Sequence, residues 1–539
     1  MPIPVRTPRP RPRHLRLPTL AGALILAVSA VTGAGASGAG AAAAAEPSDR
    51  PTLTFADSTT QAKLGAPYAE ALTNVLDINT VPYDPAVYNS SGLMTDDPQE
   101  FIRAGGGYEQ PWTRDAAVNT WNAASLLEPA QAANTLWAAV VKQPDGQLIV
   151  QQDNQQWDQV VWMTGAWNHY LVTGDETFLS HAYQVAVNTL DLRRSQDFNS
   201  AFGLFQGPSF FNDGIAGYPA PPADDTESHG SFVGDYPDTS SIMALSTNAL
   251  YFSAYRSAAQ MAAALGRPDS EADALDASAD TLKEKINQHL WIPDKGMYGY
   301  FIHGDDSLSG QLDVTEEGAG LSFAVLFGIA DASQARSIMR NAHIQPYGIV
   351  DTYPDFARYS DDRPGRHNGV VWPMVQGYWA DAAARTGDQA RFADEVRALA
   401  GLADSSGQFA EIYNARTGEV DGGWQTGSHW DAAPDQAWSA TAYLRMIDNG
   451  LFGMEFGTDG IDFRPTLPAG WGDVTLNGVS YRDAELDISL HGSGNVISSF
   501  TLDGAETSAN SVPASLSGKH DVEITLSDAE PRPRTSGGR

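Results

Sequence analysis

Cysteine is absent from the 539 residues, so neither a disulfide nor a thiolate is available and stability has to come from burying a large core. Basic residues are scarce: 33 Lys and Arg stand against 66 Asp and Glu, a net charge of −33. A surface that negative repels nucleic acid and anionic membranes and favours neutral or cationic partners. No Gly-rich loop leads into a lysine-bearing helix, no His/Cys group has zinc spacing, and no Gly-x-Ser-x-Gly elbow occurs. Phosphate-loop, zinc and serine-hydrolase chemistry are not indicated, and no cofactor or metal is expected.

Long apolar runs are also missing, with one exception near the start. Arg6, Arg9, Arg11, Arg13 and Arg16 precede an apolar run from Leu17 to about Val31, and small residues continue to Ala43-Ala44-Ala45. A basic head, a short apolar run and an Ala-x-Ala site have the layout of a secretory signal peptide. A membrane anchor is the competing reading, but the run is short of the ~20 residues that a span needs. Residues 1–45 are expected to be a signal peptide and the mature chain to be secreted. The segment 529–539, rich in Pro, Gly and Arg, is expected to be a disordered tail.

What is plentiful is helical pattern. Ala-rich amphipathic runs occupy 116–127, 130–141, 160–172, 246–265, 270–290, 369–384 and 390–402. Tight junctions link several of them: Thr173-Gly174-Asp175-Glu176, Thr386-Gly387-Asp388-Gln389 and, more loosely, Leu265-Gly266-Arg267-Pro268-Asp269. Glycine tolerates the left-handed conformation that ends one helix, and aspartate accepts the unpaired N–H groups that open the next. Helix–turn–helix units without a strict period favour a closed toroid of hairpins over a regular solenoid. After Leu451 the composition changes. Gly460-Ile461-Asp462-Phe463 and Ala484-Glu485-Leu486-Asp487-Ile488-Ser489-Leu490 alternate as half-buried strands do, with turn signals at Pro468-Ala469-Gly470, Gly492-Ser493-Gly494 and Asp503-Gly504. The chain is expected to be mainly α, with a toroidal catalytic domain over 46–450 and a small C-terminal β-sandwich over 451–528.

Polar and aromatic clusters interrupt the helical pattern. Gly105-Gly106-Gly107-Tyr108-Glu109-Gln110-Pro111-Trp112-Thr113-Arg114-Asp115 combines a permissive backbone with Trp112, a donor-only Arg114 and an acceptor-only Asp115, a set suited to gripping vicinal hydroxyls. Helix-end electrostatics for Asp115 is the structural alternative. The segment from Gln151 to Asp158, with Trp157, either lines a polar cleft or forms an ordinary loop. In Phe210-Phe211-Asn212-Asp213-Gly214 one carboxylate sits among aromatics, where an apolar surround would raise its pKa and keep it protonated as a general acid. Asp213-Gly214 is equally a good turn dipeptide, and Asp235 and Asp238 are rivals for the acid. His367, in Arg366-His367-Asn368-Gly369-Val370-Val371-Trp372-Pro373, either binds a hydroxyl or caps the following helix. The acidic loop Asp224-Asp225-Thr226-Glu227 is a solvated loop or a calcium ligand set. Glu411, in Glu411-Ile412-Tyr413-Asn414-Ala415-Arg416-Thr417-Gly418, is read as activating a water in a sugar-cleaving site, or else as capping a loop with Trp438 in the core. Thirteen tryptophans and nineteen tyrosines offer flat faces for sugar rings, although most of them must pack the core.

Trp112-Thr113-Arg114-Asp115 resembles the sugar-gripping Trp-x-Arg-Asp of glucoamylases and of glycoside hydrolase family 63. Asn368-Gly369-Val370-Val371-Trp372-Pro373 is similar to that family's Gly-x-x-Trp-Pro segment. Glu411-x-Tyr-Asn-x-x-Thr-Gly with Trp438-Ser439-Ala440 resembles its base-bearing Glu-x-Tyr-Asn/Asp-x-x-Thr-Gly segment and Trp-Ser-Ala. The resemblance spans most of 100–450 and implies an (α/α)6 toroid and inverting hydrolysis, with Glu411 as base and an aspartate of the third segment as acid. Sugar contacts are expected from Trp112, Arg114, Asp115, Trp157, His367, Asn368, Trp372, Gln436 and Trp438. The family's Ser-Gly-x-Asp-Asn-Ser-Pro acid segment is absent, and Phe210-Phe211-Asn212-Asp213-Gly214 stands in its place. The C-terminal β region resembles the small sandwich of related toroidal sugar hydrolases and phosphorylases.

The expected function is therefore a secreted, inverting, exo-acting glycosidase on an oligosaccharide or glycoside, α-glucosides first. An inverting pair of carboxyls stands about 6.5–9.5 Å apart to admit a water. Three rivals remain from the sequence: a polysaccharide lyase, which needs cationic groups that this acidic chain has few of; a non-catalytic sugar-binding protein; and a phosphorylase, against which Glu411 argues.

Overall fold

The computed structural model describes residues 50–152, 155–219 and 230–528. The expected signal peptide, the tail at 529–539 and the acidic loop Asp224-Asp225-Thr226-Glu227 lie outside the described residues.

The helices are α1 (Ala66–Thr73), α2 (Thr113–Asn119), α3 (Pro129–Ala138), α4 (Val161–Thr173), α5 (Glu176–Asp197), α6 (Leu245–Ala264), α7 (Asp269–Leu290), α8 (Gly318–Leu326), α9 (Ala332–Asn341), α10 (Pro373–Thr386), α11 (Gln389–Ser406) and α12 (Ala437–Arg445), with shorter turns between them. Among the described residues α2, α4, α6, α8, α10 and α12 each contact the next, and α12 returns to α2, so these inner helices close a cycle. Each also packs against an outer partner: α3, α5, α7, α9, α11 and α1 respectively. Burial follows from that placement. α8 and α12 are buried along their whole length, whereas outer α7 buries the single stripe Ala279, Leu282, Ile286 and Leu290.

The junctions leaving inner helices are short. Gly174 ends α4 at φ 71°, and Asp175 accepts from the N–H groups of Thr177 and Phe178 to open α5. Gly387, at φ 77°, ends α10, and Asp388 accepts from the Arg391 N–H to open α11. The segments entering inner helices are long: 74–112, 139–160, 198–244, 291–317, 342–372 and 407–436. Tight reversal at one end gathers the N-termini of the inner helices, and every long segment, at the other end.

Two helical runs are shorter than their patterns suggest. The run 130–141 stops at Ala138, and Val140–Lys142 pairs instead with Leu148–Val150. The run 369–384 begins at Pro373, because Val370–Val371 pairs antiparallel with Tyr413–Asn414 and proline then supplies the first helical turn. These pairings of two or three residues are too short to leave an alternating signature.

The C-terminal region forms a mixed six-stranded sheet in the order Thr52–Phe55, Val474–Tyr481, Ala484–Gly492, Gly518–Ser527, Val496–Leu502, Ala505–Glu506. Ala484–Gly492 and Gly518–Ser527 are parallel; the other neighbours are antiparallel. Met454–Phe456, Gly460–Phe463 and Ser511–Pro513 make a second, three-stranded sheet. The edge strand Thr52–Phe55 comes from the N-terminal side of the helices, a pairing that its four residues do not announce. Among the described residues no helix is long and apolar enough to cross a membrane.

Candidate active site

The candidate side chains cluster on the long entering segments and at the N-termini they lead into. Trp112, Trp372 and Gln436 are the N-caps of α2, α10 and α12, and Asp158 lies in the 3-10 turn Gln156–Val160 just ahead of α4. Helix N-termini carry partial positive charge, so this end of the molecule suits carboxylates and electron-rich oxygens.

Glu411 is 3% exposed and is held from three directions. Arg366 Nη2 donates to Oε2 at 2.9 Å, the Ala433 N–H donates to the same oxygen at 2.9 Å, and the Tyr108 hydroxyl donates to Oε1 at 3.2 Å. The pairing of Val371 with Tyr413 brings the Arg366–His367 segment alongside. Arg366 is itself fixed by donating to the Gly422 and Asp431 carbonyls at 3.0 and 3.3 Å, and its guanidinium lies 5.4 Å from the Trp372 ring centre. Burial would lower its pKa, but the Glu411 charge, then Tyr108 and Asp213, more than offset this. Arg366 therefore stands within the field of both candidate catalytic carboxyls.

Asp213 sits on a strained turn. Phe211 adopts φ 54°, and the Asp213 N–H donates back to the Phe211 carbonyl at 2.7 Å. The turn is pinned from below, where the Tyr218 hydroxyl donates to the Asn212 carbonyl and Asn212 Nδ2 donates to the Tyr300 hydroxyl, at 3.0 and 2.7 Å. Gln155 Nε2 donates to Asp213 Oδ2 at 2.8 Å, Arg114 Nη2 lies 3.6 Å from that oxygen, and His367 Nε2 lies 3.5 Å from Oδ1. The side chain keeps 34% of its surface exposed.

The expectation of a raised Asp213 pKa is corrected here. Burial does push the carboxyl up, but His367 and Arg114, with Arg366 behind them, pull it well below the usual carboxylate range. The aromatic neighbours Phe210 and Phe211 are buried core, and the carboxylate itself faces the Arg114 guanidinium and the His367 ring.

Asp115 behaves in the opposite way. It is buried and accepts from Gln436 Nε2 at 3.2 Å, and burial pushes it up to about 8 against the pull of Arg114, with Glu411 adding to the rise. Arg114 turns instead to Asp158 at 3.1 Å and to Asp213, and its guanidinium lies 5.5 Å from the Trp438 ring centre. Trp372 stacks on His367 at 4.9 Å and meets Trp438 edge-on at 5.8 Å. Trp112 is 38% exposed at the rim. Two residues are placed apart from this array. Trp157 is buried in a satellite cluster with Ile215, Tyr218 and Val233. The Asn368 amide is used on the chain itself, accepting from the Phe356 N–H and donating to the Thr352 and Pro354 carbonyls. Asp235 and Asp238 lie exposed on short 3-10 turns.

Sequence reasoning passed over Tyr108, Gln155, Asp158, Asp351 and Arg366 as individual site residues. All but Asp351 lie in segments already singled out; Asp351, whose carboxylate is 3.5 Å from His367 Nδ1, sits in a stretch with no motif. Among the described residues no group of three or more His, Cys, Asp or Glu side chains is arranged to hold a metal ion. A cavity of about 900 Å³ between the 344–348 hairpin, α11 and the 417–420 turn contains none of the side chains above.

Comparison with known proteins gives a family and a fold. The family model described as "Mannosylglycerate hydrolase MGH1-like glycoside hydrolase domain" matches residues 108–439. A GH63 mannosylglycerate hydrolase from Thermus thermophilus has a similar fold, with a TM-score of 0.51 at 17% identity over 64% of this chain and 95% of that one. A GH78 rhamnosidase of a Bacillus species gives 0.53 at 16% identity over 89% of this chain and 44% of that one. An MMP endo-(1,4)-3-O-methyl-alpha-D-mannosidase of Mycolicibacterium hassiacum is 31% identical over 94 residues, 16% of this chain. The match spans about a quarter of that mannosidase, 26% of its length.

Proposed function

The chain belongs to the MGH1-like glycoside hydrolase family, and from that premise we propose that it is an exported, inverting, exo-acting glycosidase on α-linked sugars, with Glu411 as general base and Asp213 as general acid. Glu411 takes a proton from the attacking water, and Asp213 protonates the leaving oxygen across the sugar. The proposed frame is an (α/α)6 toroid with a C-terminal β-sandwich, its pocket at the long-loop end favouring chain termini. The observation that best supports the reading is that two acids far apart in sequence face one polar array, Glu411 through Arg366 and Asp213 through Arg114 and His367. The names of two similar proteins, a mannosylglycerate hydrolase and an α-mannosidase, support testing α-mannosides beside the α-glucosides suggested by Trp112-Thr113-Arg114-Asp115.

A second reading gives the acid role to Asp115, whose carboxyl rests protonated near neutral pH. The test uses α-mannosides and α-glucosides with alkyl and with dinitrophenyl leaving groups, product anomers followed by NMR. Glu411→Gln is expected to abolish turnover of all of them while circular dichroism stays unchanged; retained activity removes Glu411 as base. Asp213→Asn is expected to lose the alkyl glycosides by ~100-fold or more and keep the dinitrophenyl ones, which need no acid. If Asp115→Asn shows that pattern instead, the acid is Asp115. An unsaturated product absorbing in the ultraviolet, or binding without turnover, returns the reading to a lyase or a binding protein.

A further inference from the structure

Asp213 has to deliver a proton, yet its surroundings favour its charged form: Arg114 lies 3.6 Å away and Gln155 Nε2 donates to it at 2.8 Å. A carboxylate that rests ionised needs a proton source within reach. His367 is the neighbour that fits. Its Nε2 lies 3.5 Å from Asp213 Oδ1 and its Nδ1 lies 3.5 Å from Asp351 Oδ2. Both ring nitrogens thus face carboxylate oxygens, an arrangement that suits the doubly protonated ring. The contacts are longer than a formed hydrogen bond, as catalytic contacts often are before substrate binds. The ring cannot swing away, because it is fully buried, stacks on Trp372 with an interplanar angle of 8°, and has Phe211 on another side. Its backbone carbonyl is anchored by the Thr352 hydroxyl at 2.6 Å.

We propose that His367, held as an imidazolium between Asp213 and Asp351, supplies the proton that Asp213 passes to the leaving group, and that Asp351 is the positioning residue that keeps the imidazole charged. The inference rests on the assignment of Asp213 as acid. In the step, the His367 Nε2–H bond breaks and an O–H bond forms on Asp213 Oδ1. That proton moves to the glycosidic oxygen as its C–O bond breaks, while Glu411 takes a proton from the incoming water. The turn leaves His367 neutral and Glu411 protonated; solvent returns one proton to the first and removes one from the second.

The groups around this pair agree with it. His367 faces Asp213 on the 198–244 segment and Asp351 on its own, with Arg114 and Arg366 beyond Asp213. Asp351 faces Asn212 and lies within the field of Glu317, Tyr218 and Tyr300, so His367 is the basic group among them. Glu317 is pushed up to about 8, chiefly by burial, and does not compete as a counter-charge near neutral pH. Burial lowers the His367 pKa, and the two carboxylates raise it by more. Asp351, pushed up to about 6 by burial against the pull of His367, is ionised at neutral pH.

The test is the pH profile of kcat/KM for the full chain on an alkyl glycoside and its dinitrophenyl counterpart. Removing the Asp351 charge lowers the pKa of His367, so Asp351→Asn is expected to move the alkaline limb down by ~1 pH unit or more on the alkyl glycoside, and not on the dinitrophenyl one. A limb that stays in place, in an enzyme that Asp213→Asn disables, overturns the relay and leaves the acid assignment standing. Full activity of Asp213→Asn on the alkyl glycoside overturns both. Should Asp351→Asn fail to fold, 15N NMR of histidine-labelled wild-type protein decides, with the His367 signals identified by their loss in His367→Gln. An imidazolium signature near pH 7 supports the relay, and a neutral ring overturns it.

Discussion

Arg366 does more than neutralise Glu411. One fork reaches the carboxylate while the other holds the Gly422 and Asp431 carbonyls, so the plane of the guanidinium sets where Glu411 Oε2 stands. Lysine keeps the charge but cannot satisfy three acceptors in two directions. Arg366→Lys is expected to lower kcat by about 10- to 100-fold, the cost of letting the proposed base drift by a fraction of an ångström, with KM changing much less. Steady-state kinetics on any accepted glycoside measures this, and an unchanged kcat would show that Glu411 is placed by Ala433 and Tyr108 alone. Arg366 also shows how far residues are legible one at a time. Glu411 stands in a segment distinctive enough to suggest a base, and its partners Tyr108 and Arg366 lie in stretches marked by glycines and aromatics. Asp213 is harder: Phe210, Phe211 and Ile215 are near it in sequence, but its spatial neighbours are Arg114 and His367, which come from other segments. Local sequence gives the sign of the pKa shift only when the nearest groups in space are also nearest in the chain.

At the scale of elements, the short junctions are the readable part, because capping is local chemistry. Asp175 Oδ1 accepts from Thr177 N at 2.8 Å and from Phe178 N at 2.9 Å, and Gly174 takes the left-handed turn. Asp175→Ala is expected to cost about 1 kcal/mol. Gly174→Ala is expected to cost about 1–2 kcal/mol for the left-handed conformation, and its added Cβ would lie 3.2 Å from Arg482 Cζ. That arginine, from the turn between two strands of the large sheet, donates to the Leu171 carbonyl at 3.0 Å and so caps the end of α4. Chemical denaturation of each variant checks the costs, and kcat should not move, since these turns lie at the end of the inner helices opposite the site. The pieces that sequence misplaces are those decided by distant partners. Val140 and Val370 continue helical patterns, yet each enters a strand pair whose other half is supplied elsewhere, Val150 for one and Asn414 for the other. The second pairing is the one that brings His367 and Glu411 to the same end of the ring.

For the molecule as a whole, gathering carboxyls among buried helix ends has a consequence for stability against pH. Asp448 on the last inner turn is pushed up to about 8 by burial, as is Asp115, and Glu317 reaches about 8 for the same leading reason. Each binds a proton in the folded state that the unfolded chain has released above its ordinary value of 3.8 or 4.5. Their contribution is complete below those ordinary values and is lost as pH rises toward 8. Asp381 and Asp213 work the other way. Burial raises both, but Arg445 and Arg385 for the first, and His367 and Arg114 for the second, hold them below the ordinary range. Their contribution is present above the ordinary value and is lost as pH falls below it. The net charge of −33 adds self-repulsion near neutral pH that fades toward the sequence pI of 4.5. Thermal unfolding should therefore show the highest Tm at about pH 5, falling toward pH 8 from the raised carboxyls and falling again below about pH 4 from the lowered ones. Asp448→Asn removes one raised group without changing its shape, so the decline from pH 5 to pH 8 should become shallower, with Tm at pH 8 above that of the parent. A Tm that rises from pH 5 to pH 8 would mean that these buried acids are ionised in the folded chain and paired with cations.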